Sequence, residues 1–219
     1  MKLTKKVLLC VLLGATCVVG SARADSIVFS DLGTGSTLYS VPFSYGISAS
    51  GAVGNPAFAF TPVASYDFTQ LDIALNYSSG TNSVTVELMS DSGGTPDAVL
   101  QSWSVSGLPA VGGCCTLQIL PGTGTIPLLA GTAYWVAVLP GGSDTLAGWN
   151  QSFPPEIGPA AVNFGAGWAN TGLPGISGAF EVQGTSSSPE PGTMFLVVAG
   201  LFGIRHHAKR KARIGAIGF

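Results

Sequence analysis

The side chains in this chain that can do chemistry are carboxylates, and nothing basic accompanies them. All nine Lys and Arg lie at the ends: Lys2, Lys5, Lys6 and Arg23, then Arg205, Lys209, Arg210, Lys211 and Arg213. Both histidines, His206 and His207, sit in the second cluster and read as part of a solvated charge run. The stretch from Asp25 to Ile204 therefore has neither a cation nor an imidazole, yet it carries all eleven acids. Serine is plentiful there, but nothing can activate it in the Ser-His-Asp or Ser-Lys manner. A domain without Lys or Arg also cannot neutralise phosphates, which argues against nucleic-acid binding. No catalytic residue and no cofactor is expected.

Four lesser constellations remain. Two carboxylates suffice for glycoside hydrolysis, and Asp72 and Glu87 lie on the solvent faces of strands that could be neighbours. Such positions more often serve solubility. Asp91, Ser92 and Asp97 offer oxygens to calcium, without the spacing of an EF-hand loop, and Asp before Gly is also ordinary turn chemistry. Cys114 and Cys115 are adjacent, too few for a zinc site and closer than a relaxed disulfide allows. A strained vicinal ring, bridges to other chains and two free thiols are the readings, the first favoured because no third cysteine survives processing. Finally, Trp149 and Trp168 sit among Gly and Asn in Gly148-Trp149-Asn150 and Gly167-Trp168-Ala169-Asn170, where they are candidates to stack on a sugar. Trp135, inside an apolar run, reads as core.

The elements that must position these groups are strands. Leu71, Ile73, Leu75 and Tyr77 alternate with Asp72, Ala74 and Asn76, and Val84, Val86 and Leu88 alternate with Thr85, Glu87 and Met89. Residues 133–139 are apolar on both faces and predict a central strand, while Phe180 and Val182 mark a last one. Residues 88–100 predict a hairpin turning through Asp91, Gly93, Gly94 and Pro96. Only 9% of residues are charged and 31 are Gly, which suits many short strands joined by turns. The expectation is an all-β, antiparallel two-sheet sandwich of jelly-roll-like form over residues 25–183, with about nine to eleven strands.

Both ends read as addresses. Residues 1–24 have a basic start, an apolar run from Val7 to Gly20 and a small-residue site at Ala22-Arg23-Ala24, the three parts of a secretion signal. A mature chain is expected to begin at Asp25; Met1 or Lys2 peptides in the mature protein would rule this out. Residues 184–188 read as a polar linker by composition. Pro189-Glu190-Pro191, an apolar stretch over 192–204 and a basic cluster over 205–213 follow, and residues 214–219 form a tail. An apolar run followed by cations is a stop-transfer arrangement, a short transmembrane segment with its cations kept inside.

The order of motif, apolar run and basic cluster at 189–213 resembles the PEP-CTERM sorting signal of Gram-negative bacteria. That resemblance implies recognition of Pro189, Glu190 and Pro191 by exosortase, a membrane transpeptidase, and places the chain at the cell envelope, on the outer surface or outside the cell. Residues 88–103 together with Ala133-Tyr-Trp-Val-Ala-Val are similar to the choice-of-anchor ectodomains, with Asp97 where those usually have Gly. The resulting expectation is an exported, non-catalytic surface or extracellular-matrix protein of the biofilm kind. The alternative is a carbohydrate-binding module acting on exopolysaccharide.

Overall fold

The computed structural model describes residues 25–51, 53–113, 116–172 and 174–186. The expected signal peptide, the Cys114–Cys115 pair and the sorting signal with Pro189, Glu190 and Pro191 lie outside the described residues. Among those described, no helix is long and apolar enough to cross a membrane.

The strands are β1 (Asp25–Ser30), β2 (Tyr39–Ser48), β3 (Asn55–Phe60), β4 (Tyr66–Ile73), β5 (Leu75–Ser79), β6 (Ser83–Ser92), β7 (Thr95–Ser106) and β8 (Gln118–Pro121). They continue as β9 (Pro127–Leu128), β10 (Tyr134–Pro140), β11 (Leu146–Ser152), β12 (Ile157–Gly158), β13 (Ala160–Asn163), β14 (Trp168–Asn170), β15 (Gly175–Ile176) and β16 (Phe180–Ser186). One 3-10 turn, Gly35–Thr37, interrupts them. The fold is all-β, with more strands than the alternation predicts, because elements of two to four residues are too short to show a period.

One layer is a six-stranded antiparallel sheet in the order β14-β13-β3-β10-β6-β7. Its central strand, β10, is the apolar run, with Val136 between Leu88 and Phe58 and Ala137 between Glu87 and Ala57. The β6–β7 hairpin closes through Gly93 and Gly94 at φ of 63° and 82°, a two-residue turn that needs left-handed backbone at both positions. The facing layer has two parts, β1-β16-β4-β8 with β9 beside β4, and β2-β11-β5. Ala74 joins them as the one residue between β4 and β5. Its N–H donates to Ala179 O at 3.1 Å and its carbonyl accepts from Asn150 N at 2.9 Å, so backbone pairing crosses the seam.

Between the layers, Val84, Val86, Leu88, Phe58 and Val136 of the six-stranded sheet meet Leu71, Ile73, Phe180, Val182 and Trp149. The Phe58 and Trp149 rings cross edge-to-face at 5.1 Å, and Phe60 meets Phe180 at 6.1 Å. These contacts join the two layers through a single apolar interior, which is where most of the stability of a sandwich resides. A second cluster, Ala57, Met89, Trp135, Ala137 and Ala161, lies on the far face of the six-stranded sheet, with Trp168 packed against it.

The structure corrects one boundary. Gly184, Thr185 and Ser186, expected to begin a polar linker, belong to β16 and pair with Phe68, Asp67 and Tyr66 of β4. On the other side, β1 pairs Asp25 with Thr185 and Ser26 with Gly184. Composition alone reads Gly, Thr and Ser as flexible, but backbone hydrogen bonds to strands on both sides do not depend on apolar side chains.

Candidate functional site

A cleft of about 430 Å³ opens where the end of β1, the β6–β7 turn and the segment after β11 converge. Its wall includes Asp31, Asp91, Trp135, Glu156, Asn170 and Ser177. A shallower cleft of about 320 Å³ shares Ile157, Gly158, Pro159 and Asn170 with it.

Each wall residue is held by backbone pairing. Asp31 follows β1, donates its N–H to Phe180 O at 3.2 Å and accepts Phe180 N on Oδ1 at 2.7 Å. Glu156 lies in a loop clamped at both sides: Ser152 Oγ accepts its N–H at 2.9 Å, and its carbonyl accepts Ser177 N at 2.7 Å. On the opposite wall, Trp135 Nε1 donates to Asp91 Oδ1 at 2.7 Å, and Gly94 N donates to Oδ2 at 3.3 Å. Asn170 donates to Gly94 O at 2.8 Å, fastening β14 to the hairpin turn.

Asp31 is the electrostatic anomaly. It is 4% exposed, and its Oδ2 has no hydrogen-bond partner. Burial pushes its carboxyl up to about 7; the nearby Ser177 hydroxyl and the Phe180 N–H pull it down, and the Glu156 charge adds to the rise. The Ser177 hydroxyl itself donates to Gly178 O at 3.0 Å. With no Lys, Arg or His between Asp25 and Ile204, no side chain of the domain can neutralise this carboxylate.

The residues singled out by sequence scatter. Trp149, expected as a loop aromatic that stacks on sugar, is a core residue of β11. It is fully buried, and its Nε1 donates to Ala179 O at 3.1 Å. The Gly and Asn around it mark close strand approach: Gly148 leaves room for the side chains of Asn76 and Ser44, and Asn150 accepts from Asn76 Nδ2 at 2.6 Å. Trp168 lies in the edge strand β14, half-buried against the alanines of the outer cluster.

Asp72 and Glu87, weighed as a pair on strands that could be neighbours, stand in different layers, on β4 and β6. Asp72 accepts Gln70 Nε2 at 2.8 Å, and burial, aided by Glu181, raises its carboxyl above the ordinary value. Burial alone raises Glu87. Both read as strand-face acids.

Of the calcium candidates, Asp91 has both oxygens occupied by Trp135 and Gly94, and Asp97 is exposed on β7. Among the described residues, no three His, Cys, Asp or Glu side chains gather closely enough to hold a metal.

Asp31, Glu156 and the polar role of Trp135 escape a sequence reading. Asp31 precedes a Gly-rich turn and Glu156 follows two prolines, so both look like ordinary loop acids. No protein family matches the chain, and no curated protein matches it either.

Proposed function

We propose that this chain is an exported, non-catalytic protein of the surface or extracellular matrix of a Gram-negative bacterium. It is sorted through Pro189-Glu190-Pro191, with an exosortase-type transpeptidase as its processing partner and the apolar segment over 192–204 holding it in the membrane until then. The observation that carries this reading is the ordered pair of addresses around a domain that has no His, Lys or Arg. The separation of Asp72 from Glu87 into different layers supports a display role over hydrolysis. Replacing Pro189, Glu190 and Pro191 with Ala is expected to leave a larger, membrane-retained species on immunoblots of cell fractions. Processing and release indistinguishable from the parent would refute the sorting role.

A second reading, binding of exopolysaccharide, is favoured by the cleft. Carboxylates, hydroxyls and apolar side chains converge there in a volume ordinary for a small-ligand site. Its test is an isotherm with soluble polysaccharide for the parent, Glu156→Gln and Trp168→Ala. Binding lost in Glu156→Gln alone would assign the cleft, and binding lost only in Trp168→Ala would move the site to the outer face of β14.

A further inference from the structure

We infer that the cleft between Asp31 and Trp135 receives the protonated amine of an amino-sugar unit in a partly N-deacetylated polysaccharide. This rests on the polysaccharide-binding reading above and names the ligand chemistry within it.

Two independent features point to a cationic guest. The first is the uncompensated sign of the wall: Asp31, Asp91 and Glu156 contribute carboxylates, and no Lys, Arg or His of residues 25–204 is available to balance them. The second is the state of Asp31. It is 96% buried by exposure, it lines the cleft, and Oδ2 has no partner while Oδ1 is taken by the Phe180 N–H. A buried oxygen left unpaired costs free energy that a donor entering the cleft would recover.

The unoccupied groups also select among cations. Asp91 is already satisfied by Trp135 Nε1 and Gly94 N, so Asp31 and the exposed Glu156 are the carboxylates left to the guest. Calcium wants six to eight oxygens, more than these two side chains supply. An ammonium has three donors and suits two carboxylates and a hydroxyl, which Ser177 or the exposed Thr61 provides. Beside the acids, the half-buried Phe29 and Ala59 offer apolar surface to the C–H face of a sugar ring. The adjoining cleft along Ile157–Pro159 extends the hollow, as a chain of linked units requires.

The test is calorimetric titration of the full chain with glucosamine trisaccharide, its fully N-acetylated counterpart, cellotriose, spermidine and calcium chloride. The glucosamine trisaccharide is expected to bind at least about tenfold more tightly than either neutral trisaccharide, the worth of one charge-assisted hydrogen bond. Asp31→Asn and Glu156→Gln should each remove about that tenfold preference, while Asp72→Asn, on β4 and outside the lining of the cleft, should not. Because Glu156 is exposed, its variant probes the cleft without disturbing the core.

Equal affinity for all three trisaccharides would overturn the amine assignment and leave polysaccharide binding standing. Spermidine as tight as the trisaccharide, or calcium binding lost in Asp31→Asn, would likewise overturn it. Absence of binding by every saccharide would overturn both this inference and the reading beneath it.

Discussion

Asp31→Asn is expected to flatten the dependence of stability on pH between about 4 and 7 and to make the protein more stable at pH 8. The carboxyl sits at about 7 in the folded chain against an ordinary 3.8, so the folded state holds its proton more tightly. The unfolded chain then binds fewer protons than the folded one across that window, and stability falls as pH rises through it. The contribution is complete below about pH 4 and lost above about pH 7, and the shift corresponds to roughly 4 kcal/mol. Asn keeps an oxygen for the Phe180 N–H but places an amide where Oδ2 has no partner, at a cost of about 1–3 kcal/mol. The net gain at pH 8 should therefore be about 1–3 kcal/mol, read from urea midpoints at pH 5, 6, 7 and 8. Parallel pH profiles for parent and variant would show that Asp31 does not carry the burial penalty assigned to it.

Trp149→Ala is expected to lower stability by about 3–5 kcal/mol, a drop in Tm on the order of 10 °C. The indole is fully buried, meets both Phe58 and Phe180 edge-to-face at 5.1 and 5.7 Å, and donates to Ala179 O. Truncation would open a cavity between the layers and strand that carbonyl. Gly178 lies so close that a Cβ there would strike the Trp149 ring, so Gly178→Ala should destabilise as well. Trp168→Ala should cost less than half as much, because that side chain is half-buried on an edge strand. Equal melting shifts for Trp149→Ala and Trp168→Ala would contradict the placement of Trp149 in the core.

Much of the sandwich was readable from local pattern. The alternation of Val84, Val86 and Leu88 against Thr85, Glu87 and Met89 orients β6, since the pleat repeats every two residues. The doubly apolar run at 133–139 marks β10, buried on both faces, and Gly93-Gly94 between two alternating runs defines the hairpin. The absence of Lys, Arg and His from residues 25–204 is likewise a fact of composition.

The candidate site was not readable in this way. Asp31 becomes buried by pairing with Phe180, 149 positions along the chain, and the Trp135–Asp91 bond spans 44. Trp149 and Trp168 have similar Gly and Asn neighbours, yet one lies between the layers and the other on an edge. Asp72 and Glu87 both alternate outward, but from different layers. Period two tells which residues share a face of one strand; it carries no information on which strand lies beside it or which sheet it joins. Those are decided by long-range pairing and burial, and it is these that leave a carboxylate unpaired in the wall of a cleft.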